Sequence, residues 1–103
     1  MRNNGAMPTY VVLSNFTGQG RSDVKHTSER LNALAPVADK LGVKVIANVI
    51  TMGQYDVVTV LEAKDDATIA MVIGTLMTRG YVTTQTMRGF SIEEFGQVTA
   101  NIP

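Results

Sequence analysis

The chain has 103 residues, a length that fills one hydrophobic core and excludes two separately folded domains. Lysine plus arginine and aspartate plus glutamate number 9 each, so no charge excess favours a nucleic-acid partner. The absence of cysteine excludes disulfides and thiolate sites and fits a reducing compartment. The longest apolar run, residues 69–77, is too short for a membrane span, and residues 1–6 lack the apolar core of a secretory signal. We therefore expect a soluble cytoplasmic protein with no membrane partner.

The domain is expected to occupy residues 7–98, preceded by a flexible N-terminus at residues 1–6 and followed by a tail at residues 99–103. Residues 8–15 contain a β-branched and aromatic run that is apolar on both faces, which is typical of a central strand. The glycines, amides and charges of residues 16–25 indicate a loop that could contain one helical turn near its end.

A first helix is predicted from Thr27 or Ser28 to Leu41, because apolar residues recur every three or four positions and Gly42 supplies a left-handed stop. Pro36 lies inside this pattern, where it removes a backbone donor at a cost of roughly 3 kcal/mol in an unbent helix. We therefore expect either a kink or two short helices.

Two strongly apolar segments, residues 43–52 and 55–63, flank Gly53-Gln54, a two-residue loop that suits a type II′ hairpin turn. The register that follows pairs residues on one face: Met52 with Tyr55, Ile50 with Val57, Asn48 with Thr59 and Ile46 with Leu61. We expect helices to cover the opposite, valine-rich face, formed by Val45, Ala47, Val49, Val58 and Val60. A slip of one residue would exchange the two faces.

A second helix is predicted from Asp65 or Asp66 to about Arg79, with Gly80 as its stop. Its apolar residues cover nearly the whole circumference, which is typical of a buried helix.

The last elements are a threonine-rich strand at residues 81–90 and a short helix that begins with the capping-box spacing of Ser91 and Glu94. With right-handed crossovers, the element order predicts an α+β ferredoxin-like βαββαβ sandwich with an extra C-terminal helix. The second sheet face is expected to expose an apolar set, namely Ile46, Ile50, Met52, Tyr55, Val57 and Leu61. A patch of that size usually marks an interaction site, and a closed homo-oligomer, most often a dimer, is the common outcome.

Several short segments match one family in their order and spacing. They are residues 7–13 (MPTYVVL), 15–20 (NFTGQG), 24–25 (VK), 30–31 (RL), 53–58 (GQYDVV), 86–91 (TMRGFS) and 93–95 (EEF). From Met7 to about Phe95 the chain resembles the GYD domain family of small bacterial and archaeal proteins. The resemblance implies a ferredoxin-like fold related in shape to dimeric α/β barrels, and it implies no established activity.

Tyr55 and Asp56 are the first candidates for chemistry, but neighbouring residues in a regular strand point to opposite faces. In the structural interpretation, the Tyr55 ring closes the sheet against a second copy of the chain, and the Asp56 carboxylate accepts hydrogen bonds from the loop. The functional interpretation is a ligand cleft lined by Tyr55 with Asn48 and Thr59.

Lys25, His26 and Arg88 form the second candidate ligand-binding set. The predicted strand order separates Arg88 from the other two within one subunit, so they could converge only across a dimer. His26 has a pKa suited to proton transfer, although a lone histidine is more often a surface or capping residue. With one histidine and no cysteine, we expect no metal and no cofactor.

Gly18-Gln19-Gly20-Arg21 is compatible with anion binding by exposed amides, but it lacks the lysine and hydroxyl residue of a phosphate loop. Glycines that shape a turn are the favoured interpretation.

Three functions remain open, and all three share one fold. The leading hypothesis is a non-enzymatic oligomeric module that binds a small ligand or a protein partner at the open sheet face. The second is a cofactor-independent enzyme of the dimeric α/β barrel type, such as a monooxygenase or isomerase, in which Tyr55 or His26 transfers a proton. The third is a structural assembly subunit.

Overall fold

The computed structural model describes residues 7–103, so the flexible N-terminus expected at residues 1–6 lies outside the described residues. Four strands form an antiparallel sheet in the order β2-β3-β1-β4, with β1 at Thr9–Phe16, β2 at Lys44–Ile50, β3 at Val57–Glu62 and β4 at Val82–Gly89. The helices are α1 (Gly18–Ser22), α2 (Thr27–Asn32), α3 (Ala35–Lys40), α4 (Asp66–Arg79) and α5 (Ile92–Ala100). The chain is thus an α+β protein with an open sheet, compatible with the expected ferredoxin-like arrangement.

Strand β1 occupies the middle of the sheet, with β3 on one side and β4 on the other. Alternate residues of β1, namely Tyr10, Val12 and Ser14, are buried beneath the helices. Its backbone is paired on both edges, as expected for the central strand that the apolar run predicts.

The segment expected to be a loop at residues 16–25 is largely helical, since it forms α1 and a 3-10 turn at Val24–His26. Thr17 caps α1, because its hydroxyl oxygen accepts a hydrogen bond from the backbone N–H of Gly20 at 3.1 Å. A methyl group on Gly20 would lie 2.2 Å from the carbonyl oxygen of Tyr81. The glycine is therefore required for a close approach between α1 and the start of β4.

The expected interruption at Pro36 is confirmed, since α2 and α3 are two short helices separated by a turn. Pro36 lies in the first turn of α3, where a backbone N–H has no helical partner to lose. Gly42 follows with a φ of 70°, the left-handed conformation expected of it.

Helix α4 begins and ends where the sequence predicts, with Asp65 accepting a hydrogen bond from the Thr68 backbone N–H at 2.9 Å and Gly80 at a φ of 75°. The prediction of a buried helix is wrong for the single chain, because Met71 and Met77 are 51% and 67% exposed. Helix α4 lies in the outer layer of a two-layer domain, so only one side of it faces the sheet.

The hairpin loop is wider than the predicted two residues. Residues 51–56 form it, closed by a hydrogen bond of 2.8 Å from the Thr51 backbone N–H to the Asp56 carbonyl. The predicted pairing of Asn48 with Thr59 is confirmed, as is that of Ile50 with Val57.

The predicted pair of Ile46 and Leu61 is wrong. A β-bulge between Val45 and Ala47 leaves Ile46 unpaired, so that Val45 lies opposite Leu61.

Most residues of the hairpin lie on the face opposite to the predicted one, whereas Val45, which pairs with the buried Leu61, lies on the helix side as predicted. Val57 and Leu61, expected on the open face, are 2% and 4% exposed. They lie opposite Ser14 and Tyr10 on β1, in the layer beneath the helices. Both faces of the hairpin are apolar, so the alternation could not decide between them, and the crossover connections did.

The face turned away from the helices is also apolar, and we call it the open sheet face. By strand register it comprises Val11, Leu13, Ala47, Val49, Val58, Val60 and Met87. Four strands about 4.8 Å apart and a paired length of about six residues give it a projected area of roughly 400 Å². A patch of this size on a monomer is often functional.

Candidate functional site

Tyr55 and Asp56 have separate partners. One carboxylate oxygen of Asp56, Oδ2, accepts a hydrogen bond from the Phe16 backbone N–H at 2.8 Å, and the Asp56 backbone N–H donates to the Ser14 carbonyl at 2.9 Å. Asp56 thus fastens the hairpin loop to the end of β1. The Tyr55 hydroxyl donates instead to Oε1 of Gln85 at 3.0 Å, on the side of the open sheet face.

Asn48 and Thr59 lie together but on the helix-facing side of the sheet. The Thr59 hydroxyl donates to Oδ1 of Asn48 at 2.8 Å. Thr59 pairs with Val12, whose side chain is buried beneath the helices, whereas Tyr55 extends toward Gln85. The structure therefore brings Asn48 and Thr59 together and places Tyr55 on the other face.

His26 belongs to an ionic cluster with Asp23 and Arg30. Its Nδ1 lies 2.6 Å from one carboxylate oxygen of Asp23, and Nη1 of Arg30 lies 2.7 Å from the other. The hydrogen bond that the His26 ring donates to Asp23 raises the pKa of His26, and the same bond is the main reason that the pKa of Asp23 is lowered. The Arg30 guanidinium also stacks 4.3 Å from the ring centre of Tyr81, which ties this cluster to β4.

Arg88 lies at the opposite end of the sheet from Lys25. It pairs with Tyr10 near the start of β1, whereas Lys25 is exposed beyond the end of that strand. The separation expected within one subunit is therefore observed. The Arg88 guanidinium stacks over the Phe90 ring at 4.6 Å and lies 3.6 Å from a carboxylate oxygen of Glu94, so it connects β4 to α5.

A polar contact that the sequence does not predict joins the core to the start of α4. The Tyr10 hydroxyl donates to Oδ1 of Asp66 at 2.5 Å. This hydrogen bond is the main reason that the pKa of Tyr10 is raised, with burial of the ring as the next cause. No local signal could have revealed the pair, because 56 positions of sequence separate the two residues.

Helix α5 and the residues that flank it present a row of exposed apolar side chains, which we call the α5 stripe. Its members and their exposed fractions are Phe90 (52%), Ile92 (90%), Phe95 (51%), Val98 (42%) and Ile102 (62%). The helix is stabilised by the predicted capping box of Ser91 and Glu94, in which each side chain accepts a hydrogen bond from the other's backbone N–H. The recurrence of these residues every two to four positions is the signal that could have identified the stripe from sequence.

A cavity of about 310 Å³ lies between the sheet and the helices, and we call it the interlayer cavity. Most of its wall is apolar, with contributions from the sheet (Val12, Val57, Leu61) and from α4 (Val72, Ile73, Leu76). Its volume lies at the lower end of the range of small-molecule sites.

Two further classes of site are absent from the part of the chain that the structure describes. Among residues 7–103, no three histidine, cysteine or acidic residues are grouped in a way that could hold a metal ion. Within the same range, no helix has both the length and the apolarity needed to cross a membrane.

Residues 10–99 match the model of the GYD domain family. A relative from Thermus thermophilus is 35% identical over 89 residues, which cover 85% of this chain and 94% of the relative. That protein is described as "Glutamine synthetase and cystathionine beta-lyase binding protein". No solved structure matches the chain.

Proposed function

This chain belongs to the GYD domain family, and from that premise we propose that it is a homo-oligomeric protein-binding module whose α5 stripe docks onto a folded partner protein. The observation that carries the proposal is the exposure of the α5 stripe along a helix whose first turn is closed by a capping box. An amphipathic helix that enters an apolar groove is a common mode of protein recognition.

The α5 stripe has enough apolar surface to drive docking. Phe95 is 51% exposed and Ile92 is 90% exposed. Full burial of one such side chain contributes roughly 1.5–3 kcal/mol, so a partner that covers several of them gains enough free energy for a specific complex. The helix is already ordered by its cap, so less conformational entropy is lost when it binds.

The proposed class of partner is an enzyme of amino-acid metabolism. The Thermus thermophilus relative is named for its binding to glutamine synthetase and cystathionine beta-lyase, and it aligns with this chain over nearly the whole length of both proteins. This alignment, which covers 85% of the chain, supports the same class of partner for the present protein.

The open sheet face is proposed to bind a second copy of the chain, which gives a dimeric α/β barrel or a higher homo-oligomer. The face exposes apolar side chains on both edge strands, with Val49 of β2 50% exposed and Met87 of β4 41% exposed. Its projected area of roughly 400 Å² supplies a large part of the about 800 Å² that each partner buries in a standard interface. An interface in which the open sheet faces of two copies meet would remove this apolar surface from water.

The test is binding of purified glutamine synthetase and cystathionine beta-lyase, measured by biolayer interferometry with this protein immobilised. Phe95→Glu and Val98→Glu place a charge in the docked stripe and are expected to weaken binding at least about 30-fold, as for a hot-spot loss of roughly 2 kcal/mol. Ala100→Glu is the matched control, since Ala100 is exposed on the opposite side of the same helix.

The proposal fails if neither enzyme binds the wild-type protein. It also fails if the stripe variants bind as tightly as the Ala100→Glu control.

A further inference from the structure

The interlayer cavity contains a buried hydroxyl that has no partner among the described residues. Ser14 is 5% exposed and lines the cavity, and its side chain makes no hydrogen bond with any of residues 7–103. Leaving a buried hydroxyl unpaired costs roughly 1–3 kcal/mol. A ligand atom that accepted a hydrogen bond from Ser14 would remove that cost.

The charge of the cavity wall has one sign. Within the described chain, the lining includes two arginines, Arg30 and Arg79, and no aspartate or glutamate. The Arg30 charge is paired with Asp23. Arg79 makes no ion pair or hydrogen bond with any side chain of residues 7–103, so its guanidinium is available to an anion.

Ser14 and Arg79 belong to the same end of the domain. Ser14 lies two residues before the end of β1, and Arg79 ends α4 just before Tyr81 and Val82. Val82 pairs with Phe16, the last residue of β1. From this end the apolar wall extends along β1 and α4, past Val12 and Ile73.

We propose that the interlayer cavity binds a small monocarboxylic acid with an apolar body, such as a medium-chain fatty acid. The carboxylate binds between Arg79 and the Ser14 hydroxyl, and the apolar body lies along Val12, Leu61 and Ile73. A dicarboxylic acid is excluded because the apolar end of the cavity offers its second charge no partner. A neutral molecule of the same shape forms no ion pair with the Arg79 guanidinium. No residue of the α5 stripe or of the open sheet face lines the cavity, so the site is separate from the protein-docking surfaces proposed above.

The test is a titration of the protein with decanoate, with 1-decanol as the neutral molecule of matched length, followed by NMR of labelled methyl groups. Decanoate is expected to shift the methyl signals of Val12, Val57 and Leu76 in a saturable manner and to bind at least about tenfold more tightly than decanol, as for a hydrogen bond to a charged group. Concentrations stay below those at which decanoate forms micelles.

Three variants distinguish a specific site from general apolar binding. Arg79→Gln is expected to weaken decanoate binding at least about tenfold while leaving decanol binding unchanged. Lys40→Gln removes an exposed cation outside the cavity and is expected to change neither. Ser14→Ala is expected to weaken decanoate binding by about two- to tenfold.

The proposal is overturned if decanoate shifts only methyl signals of the α5 stripe or the open sheet face. It is also overturned if Arg79→Gln and Lys40→Gln bind decanoate equally, or if no saturable binding occurs. None of these outcomes affects enzyme binding by the α5 stripe, so the two proposals fail separately.

Discussion

Gly20→Ala tests whether the close approach of α1 to β4 holds the domain together. The added methyl group would lie 2.2 Å from the Tyr81 carbonyl oxygen and 3.2 Å from Cβ of Phe16. A carbon and an oxygen in close contact are normally about 3.3–3.6 Å apart, so the two backbones must separate by roughly 1 Å.

The cost follows from the contacts that such a separation breaks. The Thr17 backbone N–H donates to the Tyr81 carbonyl at 3.0 Å, and the Thr17 hydroxyl donates to the Gly80 carbonyl at 2.7 Å. Two hydrogen bonds at about 1 kcal/mol each, with about 1–3 kcal/mol for overpacking, outweigh the gain of about 1 kcal/mol from alanine's helix propensity. We expect a loss of about 2–4 kcal/mol in the free energy of unfolding.

The assay is urea unfolding followed by circular dichroism, with Gly18→Ala as the matched control. Gly18 lies in the same helix, and a methyl group there meets nothing within 4 Å. We expect Gly18→Ala to be neutral or stabilising by up to about 1 kcal/mol. Equal stability of the two variants would show that the close approach of α1 to β4 does not hold the domain together.

Two further predictions concern titratable groups. Tyr10→Phe removes the hydrogen bond to Asp66 and is expected to lower the free energy of unfolding in urea by about 1 kcal/mol. Asp66→Asn should lower the raised pKa of Tyr10 in a spectrophotometric titration. An unchanged Tyr10 pKa would show that this hydrogen bond is not the main cause of the raised value. In the folded protein the pKa of His26 is raised above its ordinary value of 6.5. The pairing of His26 with Asp23 therefore stabilises the fold fully below pH 6.5, and this stabilisation is lost as the pH rises through the folded pKa. The difference in melting temperature between wild type and His26→Gln should therefore shrink as the pH rises above the ordinary pKa of histidine, and a constant difference would count against the ion pair.

The boundaries of several elements could be predicted because their signals are local. Gly42 and Gly80 both adopt the left-handed conformation that ends a helix. Ser91 and Glu94 form the capping box that their spacing predicts. Pro36 divides α2 from α3 because the effect of a proline on a helix depends only on the preceding turn.

The assignment of the sheet faces could not be predicted, because it depends on contacts between distant segments. Val57 and Leu61 are buried by their pairing with β1 and by the helices above it, not by any property of their own strand. The bulge at Ile46 had no glycine or proline to signal it.

The candidate sites also contain some features that local sequence predicts and others that depend on distant contacts. Asp56 accepts a backbone hydrogen bond beside its turn, as turn-flanking aspartates commonly do. The stacking of Arg30 on Tyr81 depends on tertiary structure, as does the position of Arg79 at the end of the sheet that contains Ser14. No pattern in the sequence indicates either of them.

The most direct test of the protein-binding role is amide hydrogen exchange of this protein with and without saturating glutamine synthetase. If the α5 stripe is the docking surface, exchange slows across α5, residues 92–100, and the exposed end of β2 near Lys44 is unaffected. A complex that leaves the exchange of α5 unchanged would rule out docking by the stripe, and the absence of any complex would rule out the protein-binding role.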